Sequence, residues 1–192
     1  MNHIFYIMGK SSSGKDTVYK KILKDLELNP LVLCTTRPMR ENEQQGREYN
    51  FVDREYFDSL MLENKIIEKR IYNTVYGEWI YFTSEESVDL HKGNYLGIGT
   101  LESYVKMRDH FGAETVIPIY IEVEDGLRLT RAIQREQNEK QPKYTEMCRR
   151  FIADSADFSE ENLAAAGIEK RFDNGGDIEE CIYKIKEFIE QV

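Results

Sequence analysis

The sequence predicts an α/β fold in which helices cover a mainly parallel sheet. Two patterns carry this expectation: strand-like and helix-like segments alternate from end to end, and the first of them, Ile4–Met8, is an unbroken apolar run stopped by a glycine. A run that is apolar on both faces suits a strand buried on both sides, as happens when the crossovers are helices. Size agrees: 192 residues, 41% of them hydrophobic and 32% charged, suffice for one domain and give no compositional reason for disorder.

Each segment has its own reason. The opening strand runs into Gly9-Lys-Ser-Ser-Ser-Gly-Lys15, after which Val18, Ile22 and Leu26 recur every four residues on a helix ended by Asn29-Pro30. A short strand at 31–33 is expected next, then a polar loop, 35–49, bearing Arg37, Arg40 and Arg47. Residues 49–83 mix short strands (50–52, 66–72, 80–82) with a helix near 54–63 and read as a small inserted lobe. Ser84 is placed to cap a helix ending at Lys92-Gly93. A strand at 95–98, a helix over Leu101–Phe111 closed by Gly112 and a buried strand at 116–123 follow. Helical spacing over 125–139 and 145–158, on either side of a polar break, gives an Arg-rich hairpin. A strand at 170–172, the turn Asn174-Gly-Gly176 and a helix with Ile178, Ile182, Ile185 and Ile189 on one face close the chain.

Charge narrows the partners. Lys plus Arg total 26 against 35 Asp plus Glu, a net charge of −9, which disfavours non-specific binding of nucleic acid or anionic membranes. Any anion site must therefore concentrate its cations locally. Cys34, Cys148 and Cys181 are isolated, with no Cys-x-x-Cys pair, so neither a disulfide framework nor a zinc ribbon is indicated and reduced thiols in cytoplasm are expected. No apolar run approaches the ~18 residues of a membrane span, and the first is too short for a signal peptide. The sequence leaves the oligomeric state open.

The chemistry concentrates in the first turn. Gly9-x-x-x-x-Gly14-Lys15 between a buried strand and a helix is a phosphate-loop arrangement: glycines let backbone N–H groups point inward, and the helix N-terminus favours an anion. Lys15 adds a point charge. Asp16 stands where the motif has Ser or Thr for magnesium, with Thr17 one residue later. Two readings of Asp16 remain: a direct or water-mediated ligand of Mg2+, or a favourable acid in a helix's first turn.

The phosphate loop is followed by Thr35-Thr-Arg37-Pro-Met-Arg40 and Gly46-Arg-Glu-Tyr49-Asn-Phe51-Val52, then Ile67-Glu68, Tyr76-Gly77, Arg131, Arg135, Arg150 and Asn174. Over nearly the whole chain this series resembles the guanylate kinase family. The resemblance implies a three-layer P-loop kinase fold. Its core would be residues 1–33, 84–125 and 158–192, its acceptor-binding lobe about 34–83, and its Arg-rich lid about 126–157. It also implies transfer of a phosphoryl group from ATP, with Mg2+, to GMP or dGMP. ATP would lie over Gly9, Ser11, Ser12, Ser13, Gly14, Lys15, Asp16 and Thr17, with its adenine near Asn174. Arg37, Arg40, Tyr49 and Tyr76 would hold the acceptor phosphate, and Arg131, Arg135 and Arg150, together with Lys15, the transferring group. Glu68 matches the residue that reads guanine by accepting from N1–H and the exocyclic amine, or else is a surface acid on a strand.

Four positions besides Asp16 depart from the family. Leu33 and Glu78 replace hydroxyl side chains expected at the base, and Gly97 and Gly99 replace acids on the strand at 95–99. These glycines either leave room for a ligand or serve packing. The departures admit a sugar-phosphate kinase similar to ribose 1,5-bisphosphate phosphokinase. A non-catalytic guanylate-kinase-like interaction module is the reading of another class, although such modules typically lose the phosphate loop. A P-loop ATPase or GTPase switch is a further alternative, and it needs no lobe of paired Arg and Tyr.

Overall fold

The computed structural model describes residues 1–74 and 77–192. In chain order, strand β1 (Ile4–Met8) leads through the phosphate loop into α1 (Lys15–Asp25), and β2 (Asn29–Pro30) follows. The next segment contains β3 (Cys34–Thr35), β4 (Asn50–Phe51), α2 (Arg54–Leu62), β5 (Ile66–Thr74) and β6 (Gly77–Ser84). Then come β7 (Tyr95–Gly99), α3 (Leu101–Phe111), β8 (Val116–Glu122), α4 (Asp125–Gln137), α5 (Tyr144–Asp157), α6 (Glu160–Ala165), β9 (Arg171–Asp173) and α7 (Ile178–Gln191).

Among the described residues the strands form two sheets. The first is wholly parallel, in the order β2-β7-β1-β8-β9, with β1 at its centre. Alternation along β1 builds the three expected layers. Ile4, Tyr6 and Met8 pack towards Tyr104 and Met107 of α3, whereas Phe5 and Ile7 pack towards Val18 and Ile22 of α1 and Ile182 and Ile185 of α7. All five β1 residues are buried, as its apolar run requires. The second sheet, β4-β3-β6-β5, carries a separate small core of Cys34, Phe57, Leu60, Ile80 and Phe82 beneath α2. Because β1 ends level with β7, Met8 beside Gly99, and β8 runs on only from Tyr120 to Glu122, the phosphate loop emerges at the carboxyl edge of the sheet, facing that second sheet.

Three expectations are corrected. There is no strand at 31–33 among the described residues. Leu31 still donates to Leu96 beside β2, but the chain then leaves the first sheet and re-enters pairing at Cys34 in the second, so these residues are the crossing. The helix expected from Ser84 to Lys92 is two 3-10 turns, Glu85–Ser87 and Leu90–Lys92. Ser84 does cap the first of them, but Val88 and Leu90 both pack inward two residues apart, an extended rather than helical spacing. Finally, α6 was not anticipated. It is a short helix begun by Ser159, whose hydroxyl accepts from Asn162 N–H, and held by buried Leu163.

Candidate active site

The phosphate loop is braced from below. Gly14 has φ 86°, a left-handed conformation that precedes α1, and a Cβ there would lie 2.5 Å from Asn174 Nδ2. Asn174, 2% exposed, donates to Ser13 O at 2.8 Å. Its buried side chain therefore clamps the loop from below. Ser12 is also left-handed, with φ 65°. Lys15 and Asp16 begin α1 and line a cleft of about 420 Å3 together with Leu33 of the crossing and Tyr49 and Arg70 of the lobe. Thr17 is exposed on the next position of the same turn.

From above, α4 and α5 are fastened to the loop by residues the sequence reading did not single out. Ser11 N donates to Asp154 Oδ2 at 2.6 Å, and Lys10 pairs with Asp125 at 3.2 Å. Arg128, 1% exposed, bonds Asp125 at 3.1 Å, reaches Asp154 at 3.6 Å and lies 3.9 Å over the Phe151 ring. Burial raises the Asp125 carboxyl, but hydrogen bonds from Arg128 and Lys10 outweigh it and hold the group below its ordinary range. The spacing Asp125–Arg128, three apart on a helix, was the one legible signal of this cluster.

The arginines that were singled out lie nearby. Arg135 and Arg150 border a small recess beside Ser11 and Ser12. Arg131 is half-buried one turn before Arg135. Neither Arg131 nor Arg135 has an ion pair among the described residues, and Glu136 accepts from the Lys143 backbone instead. Arg150 pairs with Glu146, whose carboxyl is held down to about 2 by hydrogen bonds from Arg149 and Arg150.

On the lobe, Arg37 is buried and fully engaged. Its Nη1 and Nη2 form a fork on Glu43 at 3.0 and 2.7 Å, its Nε donates to Tyr81 Oη, and its guanidinium lies 5.6 Å over the Tyr49 ring. The Glu43 bond is the main cause of the raised Arg37 pKa, and the same bond lowers that of Glu43. Glu43 also accepts from Arg40 N, so one carboxylate sets the whole turn, while the Arg40 side chain stands exposed. Tyr49 packs edge-on against Tyr81, and burial raises its phenol pKa. Tyr76 lies outside the described residues.

Glu68 is not a surface acid. It is 4% exposed and accepts from Thr83 Oγ1 at 3.0 Å and from Ser103 Oγ at 3.2 Å. The Tyr6 ring fills the space beside both Gly97 and Gly99, the latter also bordering the cleft, and its buried hydroxyl, bonded to Ser103, approaches Glu68. Burial, and then the Glu68 charge, raise the Tyr6 pKa. Glu78 faces away from the cleft. It pairs with Arg54 on the side of β6 that carries Ile80, whereas Trp79, Tyr81 and Thr83 look the other way, which removes the apparent conflict of an acid at an anion site.

A phosphate loop at the head of a central parallel strand, overhung by an arginine-bearing helical pair and faced across a cleft by a second, smaller sheet, defines a P-loop protein. Comparisons narrow this class. A sequence model of the guanylate kinase family matches residues 1–192, so the chain belongs to the guanylate kinase family. Among curated relatives, guanylate kinase of Koribacter versatilis is 32% identical over 134 residues, 65% of this chain and 55% of that protein. That of Neisseria gonorrhoeae is 39% identical over 88 residues, 45% and 41% of the two chains. The chain thus spans about half the length of the curated relatives it matches. The crystal structure of guanylate kinase from Anaplasma phagocytophilum shares the fold, with a TM-score of 0.60 at 24% identity over 99% of this chain and 85% of that one.

Proposed function

We propose that this chain transfers the γ-phosphoryl group of ATP to GMP or dGMP. The observation that carries the reading is that Lys15 and Asp16 of the loop share one cleft with Tyr49 and Arg70 of the lobe. Two phosphorylated ligands held in such a cleft need positioning and charge neutralisation more than covalent help from the protein. An acceptor phosphate oxygen bonds to the γ-phosphorus as the bond from that phosphorus to the β–γ bridging oxygen breaks, and ADP leaves with the electron pair. Lys15 and the loop N–H groups hold the donor phosphates. Arg37, Arg40 and Tyr49, with Tyr76, hold the acceptor phosphate, and Arg131, Arg135 and Arg150 come down over the group in transit. On this reading 34–83 is the acceptor lobe, 126–157 the lid, and the remainder the core.

The donor set around Lys15 fits Mg2+. Asp16 brings an exposed carboxylate to the cleft beside Lys15. That suits an ion held by one carboxylate, phosphate oxygens and water. When bound it would neutralise phosphate charge, with Asp16 orienting it. No helix among the described residues is long and apolar enough to cross a membrane.

The test is ADP release with ATP and Mg2+, run on GMP, dGMP, AMP, UMP and ribose 1,5-bisphosphate. GMP is expected to drive turnover, and Lys15→Met to reduce it by at least about 100-fold. Selective turnover of the sugar bisphosphate would replace this reading.

A further inference from the structure

The acceptor side of the cleft holds a cation that neither the phosphate loop nor the acceptor turn accounts for. Glu68 and Arg70 are two apart on β5 and share a face of the strand. Arg70 Nε lies 3.6 Å from Glu68 Oε2, beyond hydrogen-bonding distance, and this buried nitrogen has no hydrogen-bond partner among the described residues. Arg70 borders the cleft under the phosphate loop and also an adjoining cavity of about 450 Å3 walled by Leu33, Tyr49, Tyr72, Trp79 and Tyr81. Arg70 stands opposite Tyr81 and Tyr72 opposite Trp79 across the β5–β6 hairpin, so the cation is set among flat rings.

We propose that Arg70 is a specificity residue that reads the O6/N7 edge of the acceptor's guanine while Glu68 reads its N1–H and N2–H edge. This rests on the proposed GMP kinase activity. Guanine presents two acceptors, O6 and N7, beside two donors, and a guanidinium next to a carboxylate is the complement of that sequence of groups. A second phosphate is a poorer occupant, because a dianion beside Arg70 would also face the buried Glu68 carboxylate. Adenine places an amine donor where guanine has O6, so it would meet the guanidinium donor to donor. The arrangement also supplies the base donors lost at Leu33 and at Glu78, which faces α2.

The experiment compares GMP with 7-deaza-GMP, which keeps the N1–H and N2–H edge but lacks N7, in the wild type, Arg70→Ala and Arg70→Lys. Wild type is expected to prefer GMP by about 10-fold in kcat/KM, and Arg70→Ala to raise the KM for GMP by about 10- to 100-fold. In Arg70→Ala the KM for ATP stays unchanged and the two acceptors become equivalent. Arg70→Lys, with no fork, restores only part of the preference. If GMP turns over but its advantage over 7-deaza-GMP is the same in wild type and Arg70→Ala, the role of Arg70 is overturned while the kinase reading stands. Equal loss for every acceptor phosphate, purine or not, overturns it likewise and places Arg70 on the phosphate. Absence of any GMP turnover in the wild type overturns both.

Discussion

A Cβ on Gly99 would meet Tyr6 Oη at 2.3 Å and Cζ at 3.0 Å. The strand that carries acids elsewhere in the family here gives its space to a phenol from β1. Gly99→Ala is therefore expected to cost about 1–3 kcal/mol in denaturant unfolding, the scale of overpacking a closed core. In a Tyr6→Phe background, which lacks the nearest clashing atom, the same change should cost clearly less; an equal cost in both backgrounds would show that the strain lies elsewhere. Residues whose role is local were legible in the sequence. Gly14 takes the left-handed turn that its place in the loop spacing calls for, and Lys15 opens the helix after it. Glu68 was left between two readings because strand periodicity cannot say which hydroxyls, here Thr83 and Ser103, will arrive from β6 and α3. Arg70 and Asp154 were silent for the same reason: each matters through a group distant in sequence.

Among elements, those with a four-residue apolar stripe were placed correctly. Val18 and Ile22 of α1 and Ile182, Ile185 and Ile189 of α7 are buried as their spacing requires. Between Ser84 and Gly93 no stripe exists, and the chain takes 3-10 turns. The relation of α4 and α5 to the phosphate loop depends on Arg128, since one guanidinium bonds Asp125, reaches Asp154 and stacks on Phe151. Removing one partner of a wholly buried pair costs about 3–5 kcal/mol, but the Asp125 side chain is 48% exposed and recovers hydration, so Arg128→Ala is expected to cost nearer 2 kcal/mol. For a chain of this size that lowers the Tm by about 4–8 °C. Arg128→Lys should recover little of it, because an ammonium cannot both fork and stack. A melt within about 1 °C of wild type for Arg128→Ala would mean that the helical pair is held by other contacts.

At the scale of the whole molecule, the three thiols fall one to each part: Cys181 in the main core, Cys34 in the lobe core and Cys148 exposed on α5. Cys34 and Cys181 are buried, which also raises the pKa of both and pushes Cys181 up to about 11, so a reagent reaches neither until its surroundings open. The cores around them differ in size. Cys34 is packed with Phe57, Leu60, Ile80 and Phe82, whereas Cys181 lies in a layer shared by β1, β8, α1 and α7. A smaller core buries less apolar surface and opens at lower free energy. Labelling with a thiol reagent in rising denaturant should therefore modify Cys148 at once, Cys34 at intermediate concentration and Cys181 only on global unfolding. If residues 34–83 hold the acceptor as proposed, GMP should shift the Cys34 midpoint more than the Cys181 midpoint, because a ligand stabilises first the unit it binds. Coincident midpoints for Cys34 and Cys181 would instead make lobe and core one cooperative unit, so that acceptor capture could not proceed by the lobe moving on its own.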